Sequence, residues 1–407
     1  MEVTRQTKSS PFGEIPTDWD YKPIGDEINL LTGFPFPSTG YAKSGIRLLR
    51  GSNVKRGVTD WDEEITQYWE KITPDLRSYI LQEGDIVVAM DGSLVGRSFA
   101  RLGTRDVPAL LLQRVARIRS EKIDLGYLKA FICSEYFTKH CDSVKTVSAI
   151  PHISPGDIKT FSIPLPPTKA EQTAIATALS DTDALITSLE KLIAKKRNIK
   201  HGVMQELLRP KEGWVKKTLK ELAHFRRGSF PQPYGLDKWY DDNSGMPFVQ
   251  VFDVDDNKQL KPSTKRKISK AAQEMSVFAK KGTILLTIQG SIGRIAITQY
   301  DAYVDRTLLI FENFLLPLNK YFFMVSVWQL FEIEKKLAPG GIIKTITKEV
   351  LSSFHVSIPC IEEQDRIAGI LSSIESEIIL LEERLTKIRN LKHGMMQSLL
   401  TGKIRLV

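Results

Sequence analysis

Arginine can fork onto the O6 and N7 of guanine, and asparagine or glutamine can pair with the N6 and N7 of adenine. Two regions of the chain collect such side chains. "RLLRGSNVKRG" places Arg47, Arg50, Ser52, Asn53, Lys55 and Arg56 around the end of an expected strand. "FRRGSFPQPYG" supplies Arg226, Arg227, Gln232 and Tyr234, and "VQVFDV" supplies Gln250. Neighbouring Lys and Arg would anchor phosphates without reading sequence. Arg97 and Arg294 each follow a glycine-rich turn, "DGSLVGR" and "QGSIGR". They serve either as shared backbone clamps or as structural ion-pair partners. Against all of these stands the plainer expectation that a surface Arg or Lys is solvated and supplies only field.

Residues for catalysis are harder to find. An adenine-N6 methyltransferase holds a flipped base with an Asn/Asp/Ser-Pro-Pro-aromatic loop. The Pro-Pro here is in "LPPT", Leu165–Thr168, which lacks both the polar residue in front and the ring behind. It reads as a helix-entry turn. No Gly-x-x-x-x-Gly-Lys-Ser/Thr phosphate loop occurs, and "TGK" at Thr401 is not one. Pro74-Asp75 has no Glu-x-Lys following it on a plausible strand. The three cysteines, Cys133, Cys141 and Cys360, form no C-x-x-C pair. His140 beside Cys141 falls short of the four ligands of a zinc site. The glycines Gly92 and Gly96, echoed by Gly290 and Gly293, read as a tight turn or bulge.

These side chains need a frame. At 407 residues the chain is long enough for two to four domains, and 42% hydrophobic with 26% charged residues is ordinary for a globular protein. Lys+Arg 57 against Asp+Glu 48 gives a net charge of +9 and a pI of about 9.2. That balance fits a polyanionic partner, or simply a basic soluble protein. Few, odd-numbered cysteines argue for a reducing compartment, hence a cytoplasmic location. The opening "MEVTRQTKSS" lacks the apolar run of a signal peptide. "YFFMVSVWQLF", Tyr321–Phe331, is much shorter than the roughly 20 residues of a membrane span and predicts a buried helix.

The frame is written twice. "RNIKHGVMQELL", Arg197–Leu208, and "RNLKHGMMQSLL", Arg389–Leu400, agree at nine of twelve positions and lie 192 residues apart (389 minus 197). Glu171-Gln172 and Glu363-Gln364 keep the same offset. Upstream, "GDIVVAMDGSLVGRSFA" pairs with "GTILLTIQGSIGRIAIT", and Trp19 with Trp214. The chain is two diverged copies of one unit. Each opens with a strand-rich part containing "IRLLRG", "DIVVAM" and "QRVARIR", or "MPFVQVF", "TILLTI" and "TLLIFE". One helix is expected in each, over "LGYLKAFICSEYFTKHC" and "NKYFFMVSVWQLFEIEKKL".

Each copy closes with a long helix. Ile175, Leu179, Ile186, Leu189 and Ile193 recur at coiled-coil spacing in the first. Ile367, Leu371, Ile374, Ile378, Leu381, Leu385 and Ile388 do so in the second. Thr168 and Glu171 form a Thr-x-x-Glu capping box at the first helix start. A lone amphipathic helix is marginal in water, so two matching seams most simply bury each other. Sequence leaves their direction open; a pseudo-two-fold repeat would make them antiparallel.

Taken together, "IPLPP…EQTAIATALSDTDALI", "IPCIEEQDRIAGILSSIESEI", "GEIPTDW" and the terminal "LLTGKIRL" resemble the conserved regions of type I restriction–modification specificity subunits. "GDIVVAMDGSLVGR" and "LLQRVARI" resemble the middle of that family's target recognition domains. The second copy departs at Thr283, where the first has Asp85, and at Asp305-Arg306, where the first has Gln113-Arg114. The resemblance spans the whole chain. It implies an α+β fold with a target recognition domain over residues 1–165, a helical spacer over 166–210, a second recognition domain over 211–360 and a second spacer over 361–407. The two long helices would form an antiparallel coiled coil. It further implies a non-catalytic subunit that binds a split, asymmetric site on double-stranded DNA and holds two methyltransferase subunits, with restriction subunits added in the larger assembly. S-adenosylmethionine, ATP and magnesium belong to those partners, with no cofactor on this chain and no membrane.

The repeated phrase then has two readings. Met204, Gln205, Met396 and Gln397 either dock two copies of one partner, a use to which adaptable Met is suited, or pack the helices against each other and against the adjacent domain. Two other functional classes remain open: a stand-alone methyltransferase or nuclease, and a coiled-coil scaffold that never touches DNA.

Overall fold

The computed structural model describes residues 6–337 and 348–406. The chain divides into two compact units, Met1–Lys191 with Glu383–Val407, and Leu192–Glu382. Each contains a strand-rich domain and part of each long helix.

The first unit is built on a four-stranded antiparallel sheet. Its order is Asn29–Thr32, Val115–Arg119, Ile86–Ala89, Phe99–Arg101. Beside it lies a three-stranded sheet in which Ile46–Leu49 pairs antiparallel with Gln67–Trp69 and parallel with Ala109–Leu111. The second unit repeats the plan. Ala223–Arg227, Leu308–Phe314, Ile284–Thr287 and Ile295–Ile297 form the antiparallel sheet. Met246–Val249 pairs antiparallel with Arg266–Ile268 and parallel with Ala302–Val304, and Val277–Ala279 adds an edge. The apolar runs seen in the sequence are these central strands: Ile86, Val87 and Val88 have no exposure, nor do Leu285 and Leu286. Strands buried on both faces read as continuous apolar runs rather than alternations.

The glycine turn after each central strand is a close approach. A Cβ on Gly96 would stand 2.5 Å from Cβ of Cys141, and one on Gly293 would stand 2.8 Å from the Phe331 ring. Both glycines also have positive φ, 77° and 85°, a conformation side chains disfavour.

The helix expected over residues 125–141 is two helices, Leu125–Ile132 and Glu135–Val144. Ser134 breaks it. Its Oγ donates to the Phe131 carbonyl (2.5 Å) and accepts from the Tyr136 N–H (3.2 Å), ending one helix and capping the next. In the second copy Lys320–Leu337 is continuous from its Asn319 cap, with Ser326 inside the helix.

Both long helices have 39 residues, Lys169–Leu207 and Ile361–Leu399. They run antiparallel within each unit. In the first, Asp183 meets Lys392 and Glu190 meets Arg389; in the second, Lys196 meets Glu377 and Lys200 meets Glu375. The seams do more than bury each other. Ile175 and Leu179 join Trp19, Val88, Phe131 and Leu400 in the core of the first unit. Ile367 and Leu371 join Leu222, Phe323 and Met204 in that of the second. Each such Leu or Ile contributes roughly 1.5–3 kcal/mol.

The repeated Glu-Gln pair now has a physical cause. Gln172 Oε1 accepts from the Asp124 N–H (2.9 Å), and its Nε2 donates to the Pro166 carbonyl (3.1 Å). Gln364 does the same with the Asn319 N–H (3.0 Å) and the Pro359 carbonyl (3.0 Å). Asp124 and Asn319 cap the domain helices. Each glutamine therefore clamps a long helix to its domain.

The capping box is only half formed. Thr168 Oγ1 accepts from the Glu171 N–H (3.3 Å), but the Glu171 carboxylate turns away to Arg405, whose Nε and Nη2 each lie 2.6 Å from it. Arg405 also holds Asp18 (2.8 Å) beside the buried Trp19. The bidentate ion pair is stronger than the local backbone hydrogen bond it replaces. Among the described residues, no helix is long and apolar enough to cross a membrane.

Candidate nucleic-acid interface

In the first unit, Leu49 ends its strand and residues 50–56 loop away from it. Ser52, Lys55 and Arg56 are exposed there, and Arg47 and Arg50 partly so. The Arg47 guanidinium lies 4.3 Å from the centroid of the Trp61 ring, and its Nη2 donates to the Arg105 carbonyl (2.8 Å). Arg50 touches the Ile65 carbonyl at 3.4 Å and lies 6.0 Å from the Tyr41 ring. Lys55 has Asp60 at 3.7 Å. The five side chains surround one strand end.

Asn53 does not share that exposure. It is fully buried, with its Oδ1 accepting from the Arg50 N–H (3.1 Å) and its Nδ2 donating to the Asp60 carbonyl (2.9 Å). With both ends of its amide engaged, it shapes the loop instead of facing a base. Asp253 has the same post in the second unit, buried and accepting from the Gln250 N–H (2.8 Å) and the Lys265 N–H (3.0 Å).

The second unit brings Tyr234 and Gln250 into contact. Gln250 Nε2 donates to the Tyr234 hydroxyl (2.7 Å), which lies 3.1 Å from Oδ2 of the buried Asp305. Burial, with the Asp305 charge behind it, pushes the Tyr234 phenol above its ordinary value, so the hydroxyl stays protonated and donates to Asp305. Gln232 braces the same loop, its Oε1 accepting from the Tyr234 N–H (3.2 Å). Arg227 donates to the Arg306 carbonyl (3.1 Å), and the Arg306 guanidinium lies 5.2 Å from the Tyr234 ring. Arg226 sits apart, paired with Glu312 at 2.5 Å on the neighbouring strand. Asp305 and Arg306 complete this cluster. The sequence had marked them only as a departure from the first copy.

The two arginines after the glycine turns are tied down. Arg97 holds Asp142 through two hydrogen bonds (2.8 and 3.2 Å). Arg294 reaches Asp256 (3.0 Å) and the Val254 carbonyl (3.3 Å). Both brace the turn against a neighbouring segment, as the ion-pair alternative expects.

The repeated phrase separates into inward and outward residues. Met204 is 3% exposed and lies in the domain core, and Met396 packs partly buried against the other one. Met204 thus packs the core, the second of its two readings, while Met396 keeps part of its surface open. Gln205 and Gln397 are exposed, and each donates to a histidine one turn earlier, His201 (2.9 Å) and His393 (3.0 Å). Both histidines were inside the repeated letters but were not singled out. Nothing lies within 4 Å of a Cβ placed on Gly202 or Gly394, so the same open His-Gly-x-x-Gln patch occurs once in each unit.

No group of three or more His, Cys, Asp or Glu able to hold a metal ion occurs among the described residues. Burial pushes the Cys133 and Cys141 thiols up to about 12, far from the thiolate a nucleophile requires.

Two copies of one mixed α+β domain, the first with Arg, Ser and Lys and the second with Arg, Gln and Tyr around the corresponding strand end, define a duplicated protein in which each copy is joined to a long helix. The chain belongs to the type I restriction modification DNA specificity domain family, which it matches over residues 16–200 and again over 211–390. It is 32% identical over 189 residues to the type I restriction enzyme EcoAI specificity subunit of Escherichia coli, covering 46% of this chain and 31% of that one. Thus the chain spans about a third of that relative's length. Against the putative MjaX specificity subunit of Methanocaldococcus jannaschii, identity is 25% over 427 residues, covering 98% of this chain and 96% of the other. The fold is that of the type I restriction-modification system S subunit from M. genitalium, with a TM-score of 0.64 and 15% identity over 98% of both chains.

Proposed function

We propose that this chain is the non-catalytic subunit that gives a type I restriction–modification enzyme its DNA sequence specificity. Each strand-rich domain reads one half of a split site on double-stranded DNA. The carrying observation is the duplication of a single fold with different side chains at the same strand end. Arg47, Arg50, Ser52, Lys55 and Arg56 act in the first domain, and Arg227, Gln232, Tyr234 and Gln250 in the second. Different readers make an asymmetric target. Arg97, Arg226 and Arg294 contribute positive field near the phosphates while serving as structural ion-pair partners.

The two identical His-Gly-x-x-Gln patches, His201 with Gln205 and His393 with Gln397, dock two copies of a methyltransferase subunit. Restriction subunits join the larger assembly. S-adenosylmethionine, ATP and magnesium act on those partners, in the cytoplasm, where host DNA is modified and foreign DNA cut.

Co-expression of the chain with a cognate methyltransferase subunit, followed by long-read mapping of methylated adenines, tests this reading. A split motif methylated in both halves is expected. A stable complex without any methylated motif, or no complex at all, would overturn it, the second outcome favouring the scaffold.

A further inference from the structure

Arg50 and Gln250 occupy the same place in the two copies of the fold. Each is the first residue after a strand, Ile46–Leu49 or Met246–Val249, that pairs parallel with its neighbour, Ala109–Leu111 or Ala302–Val304. Each opens a short 3-10 turn, Gly51–Asn53 or Val251–Asp253. In each, the backbone N–H is fixed by the buried side chain three residues on, Asn53 or Asp253. The loop geometry is therefore held constant while the exposed side chain differs.

We infer that positions 50 and 250 are one base-reading position used twice, with Arg50 taking a guanine and Gln250 an adenine. This rests on the proposed DNA-specificity function and gives it a residue-level code. The side chains have the functional groups for it. A guanidinium presents two parallel N–H donors to O6 and N7, and an amide donates to N7 while accepting from N6. Among the described residues the Arg50 guanidinium makes one long hydrogen bond, to the Ile65 carbonyl, and stands 6.0 Å from the Tyr41 ring, so most of its donor edge is open. One Gln250 N–H is held by the Tyr234 hydroxyl, which is itself anchored on Asp305. That leaves its second N–H and its Oε1 as the pair an adenine requires. The anchor also fixes which end of the amide is which. A freely rotating amide would lack this orientation, and preorganised donors discriminate better than mobile ones.

The test is the methylated motif of the full chain, co-expressed with its methyltransferase subunit, for wild type, Arg50→Gln, Gln250→Arg and Gln250→Ala. Arg50→Gln is expected to change one guanine to adenine in one half of the motif and leave the other half untouched. Gln250→Arg makes the converse change in the opposite half. Gln250→Ala, a truncation of a partly exposed side chain, relaxes a single letter, lowering preference there by about ten- to a hundredfold. Motifs identical to wild type in every letter, or letters changed in both halves by one substitution, would overturn the assignment. If an exchange variant fails to accumulate, the alanine variant decides: an unrelaxed motif overturns the assignment and one relaxed letter supports it. A wild-type chain without any split motif would instead overturn the underlying function.

Discussion

Lys392 Nζ lies 2.6 Å from Asp183 Oδ1, and Lys200 meets Glu375 in the other unit. Each member of the first pair stands 192 positions from its counterpart in the second. Glu190 with Arg389 (2.6 Å) and Glu382 with Arg197 (2.7 Å) repeat the relationship. The Arg and Lys of the repeated phrase are thus held in place by acids on the opposite long helix. Antiparallel pairing of two copies of one helix makes each such contact occur twice.

That pairing predicts a measurable coupling. Asp183 and Lys392 side chains are 39% and 28% exposed, so solvent screens them and the pair is worth about 0.5 kcal/mol. Asp183→Lys and Lys392→Asp should each lower stability in denaturant melts. The double exchange should recover most of the loss, giving a coupling of about 0.5 kcal/mol in a double-mutant cycle. No recovery would mean the two charges do not act on each other.

The Glu171–Arg405 pair is of another kind. The Glu171 side chain has no exposure and that of Arg405 has 14%. Removing one partner of a buried pair leaves an uncompensated charge, at a cost of about 3–5 kcal/mol. Arg405→Ala is expected to lower the Tm by roughly 10 °C for a unit of this size. Arg405→Lys, which keeps the charge but loses the two-pronged geometry, should fall between. A melt of Arg405→Ala indistinguishable from wild type would show that Glu171 finds another partner.

These two pairs also mark what the sequence made legible. The repeat, the equal helices and the central strands follow from periodicity and identity, which are local signals. Thr168 and Glu171 also gave a local signal, yet the partner that won is Arg405, 234 residues away. Asn53 reads as a base reader in the sequence because Asn can pair with adenine and its neighbours there are basic and polar. Only the fold shows both ends of its amide bound inside the loop. One helix is expected across Ser134, and the break there comes from the Ser134 hydroxyl bonding the backbone on both sides. Met204 and Gln205 are adjacent letters of the same repeat, one in the core and one in solvent, because helical rotation separates neighbours by about 100°. The Tyr234–Gln250–Asp305 chain joins three separated segments and had no sequence signature.

Asp142 gives a pH prediction. Hydrogen bonds from Arg97 and Lys145 hold its carboxylate at about 2, against an ordinary 3.8. A lowered folded-state value means the contribution is complete above about pH 4 and is lost as pH falls toward 2. Wild type should therefore be more stable than Asp142→Asn near neutrality. The difference should shrink between pH 4 and 2 and vanish below. A difference constant across that range would assign the effect of the substitution to something other than the carboxylate charge. Because Arg97 is the partner, DNA binding by the complex should respond more to Arg47→Ala or Arg50→Ala than to Arg97→Ala.

The equal 39-residue helices predict a ruler. If their length sets the distance between the two half-sites, four residues inserted in each, after Lys191 and after Glu382, extend the pair by about one turn, roughly 6 Å. Four residues nearly preserve the apolar face, since a turn takes 3.6. Duplex DNA rises about 3.4 Å per base pair, so the gap in the methylated motif should lengthen by about two base pairs. The letters of both half-sites should stay as they were, because neither strand-end loop is altered. A motif with the original gap would mean that the recognition domains, not the helices, set the spacing. Altered letters with the original gap would place part of the reading surface on the helices themselves.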